Sequence, residues 1–135
     1  MALIFSTDAA WGQTTKSGFR QKVFVMYHST NDPRNVSNIL NYGFNISKGS
    51  HLLLGDGLYV SRDIEKTVRY GPVCFKLLVY LGKTLGVEKW QDPMRKAWQE
   101  EYSSAWVPPD CGLGGRKEMT CVKSSAQVRI RPLYQ

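Results

Sequence analysis

The chain has 135 residues, of which 42% are hydrophobic, with 12 glycines and 6 prolines. This composition is typical of a globular domain and not of a chain disordered throughout, and the length suits one domain with a substantial core. The formal net charge of +7 predicts attraction to phosphates, polyanions or acidic partners. The 18 Lys and Arg residues are scattered in runs of at most two, which favours a phosphate-tolerant surface over a dedicated nucleic-acid arm.

Three cysteines, Cys74, Cys111 and Cys121, show no Cys-x-x-Cys spacing, so we expect reduced thiols and no metal site. No apolar run approaches the roughly 20 residues needed to cross a bilayer, and residues 2–5 are too short for a signal peptide. The sequence therefore predicts a cytoplasmic or nuclear protein without a membrane partner.

The first half of the chain shows a strand and a helix. Residues 1–20 lack a clear period, and we expect an N-terminal extension, partly disordered or draped over a domain at 21–135. Residues 22–27 predict a strand. Asp32 and Pro33 predict a helix start, Gly43 predicts its left-handed end, and the helix is expected to bury one face. That face is formed by Val36, Ile39 and Leu40.

The remaining elements are short and alternate in type. A loop over 44–56 leads to a strand over 57–61 and a second helix, capped by Ser61 or Asp63, that ends at Gly71. Its expected inward residues are Ile64, Thr67 and Val68. Strict alternation predicts a core strand over 73–81, and later segments predict a helix over 92–101, a long loop over 106–116 and strands at 119–122 and 127–130. The pattern indicates a mixed α+β fold.

Chemistry alone draws attention to His28, Tyr59 and Tyr70. Two tyrosines can sandwich a planar ring, which contributes about 1–3 kcal/mol per base-like group, and a histidine can bind a sugar hydroxyl. The alternative is that the tyrosines are core aromatics and that His28 is a satisfied residue at a strand end.

Four segments, in this order and spacing, resemble the catalytic domain of poly(ADP-ribose) polymerases, whose motifs are His-Gly-Ser/Thr, Gly-x-Tyr-Phe/Val-Ser/Ala and Lys-Ser/Ala-x-x-Tyr. The likeness spans about residues 22–131 and is nearest to the small virus- and interferon-inducible single-domain proteins of fish. It implies an α+β fold with a split β-sheet core and short helices. The segments are Tyr27-His28-Ser29-Thr30, 39–44, 54–63 and 66–70.

The resemblance implies that NAD is the substrate. His28 would bind a hydroxyl of the adenosine ribose, and Tyr59 and Tyr70 would enclose the nicotinamide ring. The main chain of Ser29, which stands where the family has glycine, and the hydroxyl of Thr67 would bind the nicotinamide amide. The same motifs add Thr30, Gly57 and Ser61 to the expected NAD-binding residues, with Gly55 and Gly57 allowing the backbone to approach the ligand.

The resemblance departs from the family at the catalytic glutamate. Alignment back from 126–128 places Met119 at that position, with Glu118 one residue earlier. Neighbouring side chains of a strand point to opposite faces, so Glu118 would need a bulge at 117–119 to enter the site. Family members without this glutamate are mono-ADP-ribosyltransferases or inactive, so polymer synthesis is not expected.

Two functions therefore stay open. The first is transfer of a single ADP-ribose to an unidentified protein or nucleic-acid acceptor, with an antiviral role implied by the fish proteins. The second is an inactive module that binds NAD, ADP-ribose or nucleic acid. The sequence does not predict the oligomeric state.

Overall fold

The structure is a computed structural model that describes residues 3–5, 23–113 and 115–130. Within these ranges the chain is a mixed α+β protein, as predicted, with short helices and mostly sheet. The strands are β1 Leu3–Phe5, β2 Val23–Thr30, β3 Leu58–Val60, β4 Val73–Tyr80, β5 Thr84–Gly86, β6 Ser104–Val107, β7 Met119–Val122 and β8 Val128–Ile130. The α-helices are α1 Arg34–Tyr42 and α2 Ile64–Thr67, and single 3-10 turns lie at Val68–Tyr70, Trp98–Glu100 and Ser125–Gln127.

The first sheet is built on β4. Strand β2 pairs with it antiparallel along its whole length, from Val23 opposite Tyr80 to Thr30 opposite Val73. On the other side of β4 lie β1, in parallel, and β8, antiparallel. The predicted alternation is confirmed, because one buried cluster contains every second residue from 73 to 81, namely Val73, Phe75, Leu77, Val79 and Leu81.

The second sheet has the order β3-β7-β6-β5. Leu58, Val60 and Val122 on one of its faces join the same buried cluster as the residues of β4, so the two sheets share a core. Its opposite face, which carries Tyr59 and Met119, packs against a second cluster. A main-chain bridge between Tyr27 and Ser61, with hydrogen bonds of 2.7 and 3.0 Å, joins the sheets where β3 ends.

Helix α1 lies close to its predicted position. The Asp32 carboxylate accepts a hydrogen bond from the Arg34 amide at 2.9 Å, and Gly43 ends the helix at φ +85°. Val36 and Ile39 pack on the core, but Leu40 is 46% exposed, so its predicted inward position was wrong.

Helix α2 is capped by Asp63, which accepts from the Glu65 amide at 3.0 Å. Ser61 is not the cap, because its hydroxyl accepts a hydrogen bond from the amide of Asp63, which precedes the helix, at 3.0 Å. Thr67 is buried as predicted, whereas Val68 is 46% exposed because the helix changes there to a 3-10 turn.

Several predicted boundaries were wrong. Strand β2 continues three residues beyond 27 because β4 offers a partner as far as Val73. The third helix is reduced to turns and the 3-10 turn Trp98–Glu100, because the main chain leaves the helical conformation at Ala97, with φ −122° and ψ 15°. The loop expected from residue 106 begins later, since β6 extends to Val107. Of the N-terminal extension only the short strand β1 is described; residues 6–20 lie outside the described part of the chain.

No helix in the described ranges is both long and apolar enough to cross a bilayer.

Candidate functional site

A cavity of about 500 Å³ lies between the end of β2, β3, helix α2 and the loop over residues 47–57, which we name the cavity loop. This volume falls within the range of roughly 300–1,000 Å³ that is usual for ligand pockets. The cavity brings together seven of the ten residues that the sequence nominated: His28, Ser29, Tyr59, Ser61, Thr67, Tyr70 and Met119.

His28 stands at the seam between the two sheets. Its Nδ1 lies 2.8 Å from the carbonyl oxygen of Tyr59. Because a carbonyl only accepts hydrogen bonds, Nδ1 carries the proton and Nε2 is left as the acceptor in the neutral ring. Burial lowers the pKa of His28 below its ordinary value of 6.5, despite the opposing effect of the Tyr59 bond. The ring is therefore neutral at pH 7, and an edge-on contact with Phe44 at 5.1 Å fixes its plane.

The main chain of Ser29 faces the open side of β2. In an antiparallel ladder, pairs that exchange two hydrogen bonds alternate with pairs that exchange none. The N–H and C=O of Tyr27 both bond to Ser61, so Tyr27 and its partner Lys76 exchange no hydrogen bonds. Two residues further along the strand, Ser29 and its partner Cys74 exchange none either. The N–H and C=O of Ser29 therefore point away from β4, and among the described residues no bridge joins them to β3. A donor and an acceptor stand side by side at the cavity.

The side chains of Ser29 and Thr67 are tied to each other. The Ser29 hydroxyl donates to the Thr67 hydroxyl at 3.1 Å, and Thr67 donates in turn to the carbonyl of Ile64 at 2.8 Å. Both residues are buried. The serine side chain is thus held against α2, and it leaves its own main-chain groups uncovered.

The two tyrosines occupy different parts of the cavity. The Tyr59 hydroxyl accepts from the Leu54 amide at 2.9 Å and donates to the Gly55 carbonyl at 2.6 Å, so this ring is locked in the wall. Burial, followed by the nearby Cys121, raises the pKa of Tyr59 well above 10. Tyr70, at the end of the 3-10 turn, is 58% exposed and lies at the mouth. One ring is fixed by two hydrogen bonds, and the other is exposed at the entrance of the cavity.

Met119 and Glu118 face opposite sides of β7. Met119 lines the cavity and pairs with Val107 in regular register, so the bulge that would bring Glu118 inward does not form. The Glu118 carboxylate instead accepts hydrogen bonds from Nε of Arg62 and from the Arg62 amide, the latter at 3.2 Å. Its nomination as a catalytic residue is therefore corrected: Glu118 is buried away from the cavity, in an ion pair.

Thr30 and Gly57 also lie outside the cavity lining. The Thr30 hydroxyl accepts from the Asn35 side chain at 3.0 Å and supports the start of α1. A Cβ on Gly57 would lie 2.2 Å from Sγ of Cys121 and 2.7 Å from the carbonyl oxygen of Val122. Glycine is required there because β7 approaches closely.

Ser61 reaches the cavity with its polar groups already engaged. Its hydroxyl donates to the Glu118 carbonyl at 2.7 Å, and its main chain pairs with Tyr27. Ser61 thus forms part of the cavity wall and joins the two sheets. Its hydroxyl proton is already donated to the Glu118 carbonyl and is not free for a ligand.

Sequence reasoning missed seven lining residues: Ser47, His51, Leu52, Leu53, Val60, Lys66 and Leu113. A signal for two of them was present, because Leu52 and Leu53 belong to an apolar triplet inside a polar loop. Lys66 is buried, and this burial lowers its pKa below the ordinary value. The positive charge of Arg69 lowers the pKa further, to a lesser extent. The described lining residues include this cation and no carboxylate.

Neither a comparison with protein-family models nor a search of curated proteins finds a match for this chain. Within the ranges that the structure describes, no group of three His, Cys, Asp or Glu side chains could hold a metal ion. The site offers a neutral imidazole acceptor, a main-chain donor and acceptor pair, aromatic walls and one buried cation.

Proposed function

We propose that this cavity binds NAD and that the chain transfers a single ADP-ribose from it, in the manner of the poly(ADP-ribose) polymerase-like fold that the motifs resemble. The nicotinamide ring lies between Tyr59 and Tyr70, with its carboxamide on the main chain of Ser29. The Nε2 atom of His28 accepts a hydrogen bond from a hydroxyl of the adenosine ribose.

The observation that carries the proposal is the uncovered N–H and C=O pair of Ser29 beside a fixed aromatic ring. A carboxamide presents one acceptor and one donor on the same edge, so it matches this pair with two hydrogen bonds. Stacking on an aromatic side chain adds about 1–3 kcal/mol for a planar ring. The neutral state of His28 suits it to accept from a hydroxyl.

In the reaction the glycosidic bond between nicotinamide and ribose breaks, and neutral nicotinamide leaves with the bonding electrons. A bond forms between the same ribose carbon and the acceptor nucleophile, whose proton passes to water. No carboxylate among the described lining residues steadies the positive charge that develops on the ribose. Loss of one such preorganised group costs about 10²–10³ in rate, so transfer is slow and chain elongation is not supported.

A second function is favoured by the presence of Met119 in the cavity wall. With Met119 in place of a carboxylate, the cavity keeps its binding groups without the electrostatic group that drives bond cleavage. The alternative is therefore a module that binds NAD or ADP-ribose and does not turn it over.

The test uses calorimetry with NAD, nicotinamide and ADP-ribose, followed by incubation with labelled NAD and a cell extract as a source of acceptors. Two substitutions at one position form a matched pair. Ser29→Pro removes the N–H, which is not used in the pairing with β4, and Ser29→Ala keeps it. We expect Ser29→Pro to lose nicotinamide binding, and Ser29→Ala to retain it.

Label transfer that depends on His28 supports the enzyme, and binding without transfer supports the module. The proposal fails if the chain binds none of the three compounds. Salt-sensitive binding of RNA or DNA in that case favours a nucleic-acid module instead.

A further inference from the structure

Residues 90–99, which we name the bracket segment, hold the cavity loop of residues 47–57 through side-chain bonds to its main chain. The indole N–H of the fully buried Trp98 donates to the Leu54 carbonyl at 2.7 Å. The Gln99 amide reaches the Asp56 carbonyl at 3.2 Å, and the Lys96 ammonium bonds to the carbonyl of Ser50.

Gly55 shows how closely the two segments fit. A Cβ at this position would lie 3.1 Å from Nε2 of Gln99 and 3.3 Å from the carbonyl oxygen of Lys96, and its φ is +76°. The glycine serves the contact with the bracket segment, and it does not line the cavity.

One peptide group connects the bracket segment to the aromatic wall. The carbonyl of Leu53 accepts from Nη1 of Arg95 at 2.6 Å, while the N–H of the same peptide, which belongs to Leu54, donates to the Tyr59 hydroxyl at 2.9 Å. A charged donor on the carbonyl polarises the peptide, so the N–H at its other end becomes a stronger donor. The Tyr59 hydroxyl then donates onward to Gly55.

The guanidinium of Arg95 is itself held in position. It lies 4.8 Å from the ring centre of Trp90, and its Nε donates to the Trp90 carbonyl at 3.2 Å. Since the side chain is fixed at both ends, the direction of its bond to Leu53 is fixed as well.

We infer that Arg95 is a positioning residue that sets the orientation of the Tyr59 ring through the Leu53–Leu54 peptide, and with it the affinity of the cavity for a planar ligand. The part of this inference that concerns ligand affinity rests on the proposed function. The part that concerns Tyr59 is a property of the protein alone.

The test compares Arg95→Met with Lys89→Met, which removes one exposed cation just outside the bracket segment. In Arg95→Met the hydrogen exchange of the Leu54 amide is expected to accelerate about tenfold and its proton resonance to move upfield, with the β4 amides unchanged. Nicotinamide affinity is expected to fall about three- to tenfold, and ADP-ribose affinity to stay within about twofold. Lys89→Met should match the parent chain in each measurement.

An unchanged Leu54 amide in Arg95→Met overturns the inference, as does an equal loss of affinity for both compounds. If the parent chain binds neither compound, the proposed function fails, and the Leu54 amide still decides whether Arg95 orients Tyr59. Arg95→Lys, which keeps a cationic donor, serves as the second variant if Arg95→Met does not fold, and it should recover part of the Leu54 protection.

Discussion

Replacing Arg62 with methionine should leave the Glu118 carboxylate buried without its cationic partner. Glu118 is 7% exposed, and its described partners are the guanidinium and the amide of Arg62. Methionine removes the charge but keeps an unbranched apolar chain between the rings of Phe24 and Trp106, over which the guanidinium now lies at 5.5 and 5.8 Å.

The magnitude follows from the burial of the two partners. Removing one member of a buried ion pair costs about 3–5 kcal/mol, because the other charge is left in a medium of low dielectric constant. The Arg62 side chain is 47% exposed, so water can replace part of the interaction. We therefore expect a loss of about 2 kcal/mol in the free energy of unfolding, or roughly 6–10 °C in Tm for a domain of this size.

Urea and thermal unfolding measure this loss, and a double variant provides the control. Arg62→Met combined with Glu118→Leu removes both charges, so it should be more stable than Arg62→Met alone. Strictly additive effects of the two substitutions would show that the carboxylate does not depend on Arg62, and the assignment of Glu118 as a structural residue would then be refuted.

Three further predictions concern the cavity and its supports. Met119→Glu places a carboxylate in the cavity and should raise ADP-ribose transfer about 10²-fold in the labelled-NAD assay, whereas unchanged transfer would contradict the proposed pose. Because the folded-state pKa of His28 is lowered, the unfolded chain binds the extra proton, and stability should fall as the pH drops from about 6.5 through the folded-state value. The free energy of unfolding, measured as a function of pH, should show this slope in His51→Gln and a flatter slope in His28→Gln. Gly57→Ala forces a Cβ to within 2.2 Å of Sγ of Cys121 and should cost about 3 kcal/mol in urea unfolding; a loss below about 1 kcal/mol would mean that β7 moves aside easily.

The sequence predicted best where one physical effect dominates. The alternation along β4 and the start and end of α1 follow from burial on one face, from Asp32 and from the positive φ of Gly43, and the structure has all three. The boundaries of β2 failed because the partner strand decides where a strand ends, and pairing partners are not visible in a local pattern.

Only part of the candidate site was predicted, because contacts between distant segments are not visible in a local pattern. His28, Ser29 and Tyr59 were found because they are themselves positions of the motifs that the sequence resembles. The cavity loop and the bracket segment escaped prediction because their roles depend on contacts 42 to 46 residues apart in the chain, such as that of Trp98 with Leu54. The opposite faces of Glu118 and Met119 followed directly from strand geometry, but the presence of Arg62 as a partner did not.

The uncovered peptide atoms at Ser29 determine how substitutions would affect a drug-like compound bound in this cavity. An inhibitor with an amide group would hydrogen-bond to the main-chain N–H and C=O of residue 29. Every amino acid has both groups except proline, which lacks the N–H. Most substitutions at residue 29 would therefore confer little resistance to such an inhibitor. Resistance would arise instead from substitutions of the aromatic residues Tyr59 and Tyr70.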